Sequence, residues 1–291
     1  MADISAADVK RLREKTGAGM MDCKNALVSS DGDFDKAEKF LKEKGLAALE
    51  KRSDRATNEG KIFVKTKEKS SVLVELASET DFVARNPDFI ALGGLIADRV
   101  LEKDYAESEL SAGGKLFEEL KGMVNDLATK IRENMSLKRI RVVKAGPGEY
   151  LTQYIHGDGN IGVVVKFDSD KPGVFDAEEA RAFAFTLALH IAAFNPMALD
   201  RNKVDPAYIK EQEEIFRKQM EQDEKMKAKP ANVIDNILKG KINKHLADIC
   251  LLDQAYVKDE KFTVAQALVD YGKKLGAKIN VNDYVYFKVG A

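Results

Sequence analysis

At 291 residues, 44% of them apolar, the chain is long enough for two or three compact cores. Charged residues make up 33%, yet 47 basic against 48 acidic side chains leave a net charge of -1. That balance lacks the basic excess of a dedicated nucleic-acid binder and fits a protein that meets another protein. Cys23 and Cys250 stand far apart without a CxxC or histidine partner, so neither a disulfide framework nor a zinc site is expected. Met1 to Ser5 has neither the basic start nor the apolar run of a signal peptide, and a cytoplasmic location is expected.

Residues 1–55 read as three short helices and a linker. Ser5 can cap the first, with Asp8 at the third position, Ile4 and Val9 at staple spacing, and Leu12 continuing the apolar face. Thr16-Gly17 ends it. The second helix begins after Gly19 and carries Met21, Ala26 and Leu27. Asp33 starts the third, with Ala37, Phe40 and Leu41 on one face and Gly45 as its end, and the charged run to Gly60 reads as a linker.

Residues 56–145 form an α+β unit. Lys61–Thr66 and Ser71–Ala77 alternate as a hairpin across a polar turn. Next comes Thr80-Asp81-Phe82-Val83-Ala84-Arg85-Asn86-Pro87, a corner in which Asn86 can cap and Pro87 can start a helix. Phe82 either turns into the core, as most phenylalanines do, or stands at the surface beside a carboxylate. Apolar residues Phe89, Leu92, Ile96 and Val100 repeat at helical spacing, a second helix follows over Lys115–Glu133, and a strand over Lys138–Lys144.

Residues 146–291 open with another hairpin, Glu149–Ile155 and Ile161–Phe167. Gly157, Gly159 and Gly162 match G-x-G-x-x-G, but Val163-Val164-Val165 continues as a strand where a dinucleotide site needs a helix N-terminus. Ala182–Leu199 has no charged residue, but Pro196 cuts it short of a membrane span, and a buried core helix is expected. His190 within it reads as a satisfied core histidine, and His245 as an exposed one. Pro206–Met226 and a helix after Lys227-Ala228-Lys229-Pro230 predict an antiparallel helical hairpin inserted at about 200–250. Thr263 and Gln266 form a capping box, Gly276 ends that helix, and Lys278–Val289 alternates as a final strand.

Two strings, Thr16-Gly17-Ala18-Gly19-Met20-Met21-Asp22-Cys23-Lys24-Asn25-Ala26-Leu27 and Thr80-Asp81-Phe82-Val83, resemble the signatures of bacterial elongation factor Ts, the nucleotide-exchange factor for elongation factor Tu. Tyr154-Ile155-His156-Gly157 is similar to a third, Tyr-x-His-Gly. The resemblance covers essentially the whole chain and implies an α+β fold: an N-terminal three-helix bundle like a ubiquitin-associated (UBA) domain, a core of two subdomains, and a coiled-coil hairpin. It implies that Asp81 and Phe82 enter the G domain of elongation factor Tu near its magnesium, with Thr80 and Val83 fixing the corner. Leu12, Met20 and Met21 would dock the bundle, and His156 would add a contact. No cofactor, metal, nucleic acid or membrane is implied, and a homodimer through the core or the arm is a possibility left open. On the residues alone either methionine is equally core filler, and a lone histidine at a hairpin turn such as His156 is usually only a polar turn residue. The sequence departs from the family pattern at Arg132, where many members have glycine. It also stops at Ala291, short of the C-terminal helical module of some members, and no contact by that module is carried over.

Overall fold

The computed structural model describes residues 4–223, 226 and 229–291. The turn expected at 227–230 therefore lies partly outside the described residues. The chain is an α+β protein whose contacts divide it into two units. The first runs through Val142 and takes in Ile155–Gly162 and Phe287–Ala291; the second holds Val143–Tyr154 and Val163–Tyr286.

The first unit begins with helices α1 (Ala6–Thr16), α2 (Met20–Ser29) and α3 (Phe34–Glu50). Local signals set their ends. The Ser5 hydroxyl accepts from Asp8 N–H, Gly17 closes α1 in the left-handed region at φ 68°, and the Asp33 carboxylate accepts from the amides of Asp35 and Lys36. Val9, Leu12, Cys23, Ala26, Leu27, Ala37 and Leu41 form the small core. Two expectations fail here for tertiary reasons. Phe40 is exposed, and α3 runs past Gly45 to Glu50. A Cβ on Gly45 would lie 2.1 Å from Thr129 Cγ2, so this glycine permits close helix packing instead of ending a helix.

Strands β1 (Glu59–Lys67), β2 (Ser70–Ser78) and β3 (Met135–Lys144) form a sheet in the order β1-β2-β3, with β1 and β2 antiparallel. Between β2 and β3 lie α4 (Asp81–Ala84), α5 (Pro87–Val100) and α6 (Lys115–Ile131). Asn86 caps α5 through Asp88 N–H and Pro87 occupies its first turn. Central strand β2 is almost wholly buried, and α5 and α6 bury Phe89, Ile96, Leu120 and Val124 in the same core as Val72, Val74 and Leu76.

In the second unit, β4 (Glu149–His156), β5 (Ile161–Ser169) and β8 (Ile279–Lys288) make a sheet in the order β4-β5-β8; the last residues of β4 and β8 and the first of β5 belong to the first unit. Helices α7 (Glu178–Phe194) and α10 (Val264–Leu275) pack together, with Phe183 stacked on Tyr271 at 4.1 Å. The Thr263–Gln266 capping box and the left-handed cap at Gly276 both form. Helix α7 is buried on one face only: Phe183, Leu187 and Ile191 point inward, while Phe185 and Phe194 are exposed. Among the described residues no helix is long and apolar enough to cross a membrane. Helices α8 (Pro206–Gln222) and α9 (Ala231–Ile249) pack through Met220, Leu238, Ile242 and Leu246, and strands β6 (Ala255–Tyr256) and β7 (Asp259–Thr263) form a small ribbon. His245 is half-buried, its Nε2 2.9 Å from the Tyr208 hydroxyl, so it is not the exposed residue expected. His190 is fully buried; Nε2 meets Gln254 Oε1 at 3.0 Å, but Nδ1 has no partner, so it is only half satisfied.

Candidate functional site

Chain direction changes twice within nine residues after β2, and hydrogen bonds fix both changes. Ser78 Oγ donates to the Thr80 carbonyl at 2.9 Å. Thr80 caps α4, its hydroxyl accepting from Val83 N–H at 3.4 Å and donating to Glu133 Oε2 at 2.9 Å. The loop after α6 supplies more: Glu79 N–H donates to Asn134 O at 3.2 Å, and Asn134 N–H donates to Glu79 Oε1 at 2.6 Å. With the backbone held, helical spacing assigns the side chains. Val83 and Ala84 enter the core, and Phe82 on the other side of the turn is 81% exposed. Asp81 is half-exposed and pairs with Arg85 at 3.2 Å. Leaving a phenylalanine in water forgoes about 1.5–3 kcal/mol of burial. A ring held outward on so constrained a turn contributes little to this chain's own core.

Leu12 does not belong to a surface. It is fully buried among Val9, Cys23 and Leu27, where α1 and α2 need it to fill the bundle interior, so the expected docking role does not fit its position. Met20 and Met21 are exposed by 45% and 65% at the start of α2, where α1's left-handed Gly17 cap and Gly19 turn the chain. Next to them, Asp22 pairs with Lys44 at 2.9 Å and with Arg132 at 3.5 Å. The Lys44 hydrogen bond, with the Arg132 charge adding, holds the Asp22 carboxyl below its ordinary pKa.

Arg132 sits at φ 67° as the left-handed cap of α6, a conformation that favours glycine. Its carbonyl accepts from Arg52 at 2.9 Å. The loop Arg132-Glu133-Asn134 thus reaches the bundle through Arg132 and the Phe82 corner through Glu133 and Asn134. Nothing in the sequence string itself marked Glu133, which the sequence pattern placed inside the helix.

His156 is exposed at the end of β4, within the same unit as Phe82. The turn after it closes through Asn160 N–H to Gly157 O at 3.2 Å, and Gly157 and Gly159 take φ 59° and 96°. The glycines of the G-x-G-x-x-G string therefore shape a hairpin turn, and Gly162 opens into strand β5. Asp158 lies near the α4 end: Lys61 foremost, with Arg85 adding, lowers its carboxyl pKa. Ile90, Gly94, Phe63 and Ile155 line a shallow apolar groove beside this turn. Arg85, paired with Asp81, thus acts on Asp158 of the turn after His156, and the 132–134 loop links the Met20–Met21 corner to the Thr80 corner. Among the described residues no group of acidic, histidine or cysteine side chains is arranged to hold a metal.

Known proteins place these features in one family. The sequence model described as Elongation factor TS matches residues 79–291, which includes the corner and the His156 turn. Over 288 residues, covering 99% of both chains, the sequence is 49% identical to the elongation factor Ts of Treponema denticola. It is 43% identical over 299 residues to that of Treponema pallidum (99% of both chains) and 40% identical over 291 residues to that of Borreliella burgdorferi (100% of both). These full-length relatives also cover the N-terminal bundle that the family model leaves out. The chain therefore belongs to the elongation factor Ts family of translation elongation factors.

Proposed function

We propose that this chain is the guanine-nucleotide exchange factor for elongation factor Tu, acting in the cytoplasm. The observation that carries the reading is Phe82, an aromatic ring 81% exposed on a turn whose backbone is tied down on both sides. In this reading Phe82 is an apolar wedge between side chains near the partner's magnesium site. Asp81 exchanges Arg85 for polar contacts that hold the displaced element, while Thr80 and Val83 keep the corner in place. Magnesium needs near-ideal octahedral coordination, so a small displacement of its ligands weakens the nucleotide it helps to hold.

Met20 and Met21 dock the bundle, with unbranched side chains that adapt to an uneven surface. His156 adds a contact from the hairpin turn. The chain performs no chemistry of its own: GDP leaves through negative coupling, and whatever factor the exchange factor takes from GDP affinity, GDP takes from the exchange factor. GTP then displaces it. Direct contact with nucleic acid is not part of the reading. Pairing of two copies through the core or the helical arm is, and sedimentation of the purified protein tests it.

The deciding experiment is release of fluorescent GDP from elongation factor Tu with and without this protein. A large, saturable acceleration is expected. A stable complex without acceleration would leave an adaptor, and would overturn the exchange reading.

A further inference from the structure

Lysine is among the residues least often buried, because its ammonium loses hydration unless a partner replaces the water. Strand β1 carries Lys61, Lys65 and Lys67, of which the latter two are exposed, whereas Lys61 is only 7% exposed. Its Nζ donates to the Asp158 carbonyl at 2.7 Å and pairs with Asp158 Oδ2 at 2.7 Å. The stem lies against the same turn: a Cβ built on Gly159 would be 3.2 Å from both Cβ and Cγ of Lys61. At φ 96°, Gly159 also has a backbone that a side chain would strain. Two main-chain bonds complete the attachment, Ile62 N–H to Gly159 O at 2.7 Å and Val289 N–H to Asn160 O at 3.0 Å.

Strand β1 therefore supports two surface features at once. It packs against α4, which carries Phe82, and through Lys61 it holds the turn that follows His156. The bodies of β4 and β5 belong to the second unit, so attachment of the turn to β1 decides where His156 stands with respect to Phe82 within the first. We propose that Lys61 is a positioning residue of the exchange site: its buried ammonium fixes the Gly157–Asn160 turn on β1 and holds His156 in register with the Thr80–Val83 corner, so that both reach one partner together. This rests on the exchange reading above. Two contacts held in a fixed relation bind with less loss of freedom than two that must each be ordered on encounter.

The test is a double-variant cycle in the GDP-release assay, with K61M, H156A and F82A alone and with K61M combined with each of the others. Methionine keeps the apolar stem under Gly159 and removes only the ammonium. Asp158, 80% exposed at its side chain, is not left as a buried orphan charge, so the K61M protein folds. K61M and H156A are each expected to slow exchange by about fivefold, and their combination to be no slower than either alone, because residues acting through one contact are non-additive. K61M with F82A is expected to multiply. Hydrogen exchange of the free protein is a second readout: K61M should strip protection from the Ile62 and Asn160 amides while distant amides of β2 keep theirs.

Acceleration by the unaltered protein together with a multiplicative K61M/H156A pair overturns this inference and leaves the exchange reading standing. Unchanged protection at Ile62 and Asn160 in K61M overturns it as well. No acceleration by the unaltered protein overturns the exchange reading and this inference with it.

Discussion

Phe82→Ala separates a residue that serves a partner from one that serves the fold. A phenylalanine side chain offers on the order of 200 Å² of surface. Because Phe82 is 81% exposed, burial on this chain's own surface accounts for only about 40 Å², worth at most roughly 1 kcal/mol at ~25 cal/mol per Å². The cap at Thr80 and the packing of Val83 and Ala84 do not involve the ring, so the turn persists without it. Unfolding in urea should therefore shift by less than about 1 kcal/mol with no change in m-value. The remaining surface, about 160 Å², is available to a partner and worth up to roughly 4 kcal/mol before the costs of association are subtracted. A net loss of about 2–3 kcal/mol corresponds to a 30- to 150-fold weaker hold on nucleotide-free elongation factor Tu. Titration of the exchange rate measures that loss, and by reciprocity the variant should lower the partner's GDP affinity less than the unaltered protein does. A variant that loses several kcal/mol of stability, or exchanges within twofold of the unaltered protein, would refute the argument.

Four further outcomes follow from the same geometry. Thr80→Ala removes the cap of α4 and one partner of Glu133; it should cost about 1 kcal/mol in urea and slow exchange by loosening the Phe82 turn. Gly93→Ala would put a Cβ 2.1 Å from the Phe63 ring, and should destabilise the first unit by about 1–3 kcal/mol while leaving exchange intact at low temperature. Arg132→Gly relieves a left-handed backbone at the expense of an exposed ion pair; stability in urea should rise by up to about 1 kcal/mol, and a fall would refute the strain argument. Burial lowers the His190 pKa below its ordinary 6.5, only partly opposed by the Gln254 hydrogen bond, so the unfolded chain takes up this proton first as pH falls. Stability from this group is complete above about pH 6.5 and declines as pH drops toward the folded-state pKa, by at most about 1.4 kcal/mol per pH unit. His190→Phe should remove that component of the slope in thermal melts; identical slopes would rule it out.

Features fixed by a few neighbouring residues were legible in the sequence. Ser5, Asn86 and Thr263 cap the helices expected of them, because a cap needs only a side-chain oxygen and an amide two or three positions on. Helix faces were less legible where distant packing decides them. Leu12 and Phe40 both fit an apolar stripe, yet the bundle buries one and exposes the other. Gly45 carries a helix-end signal that close packing against Thr129 overrides. At the site, the Thr80–Val83 string was recognisable, but the residues that hold it were not. Glu133 is 53 positions from Thr80, and Lys61 is 97 from Asp158, and strand periodicity does not say what lies over an inward-facing lysine.

This division has a physical consequence for how the surface meets a partner. The Phe82 corner is held by hydrogen bonds that are partly buried and distributed over Ser78, Thr80, Glu133 and Asn134, so its geometry exists before any encounter. The Met20–Met21 corner is held differently. Besides the close packing of Gly45 on Thr129 and of Gly17 beside Lys130, its neighbour Asp22 is tied to Lys44 and Arg132 by exposed ion pairs of the kind worth less than about 1 kcal/mol each. In the proposed reading a wedge has to be stiff to displace something else, and a docking surface already held in fixed relation to it loses less freedom on binding. Increasing the stiffness of the methionine corner should thus tighten association without touching the exchange rate at saturation, whereas loosening the 132–134 loop, which ties both corners, should weaken association and slow exchange, and an unchanged exchange titration would refute this.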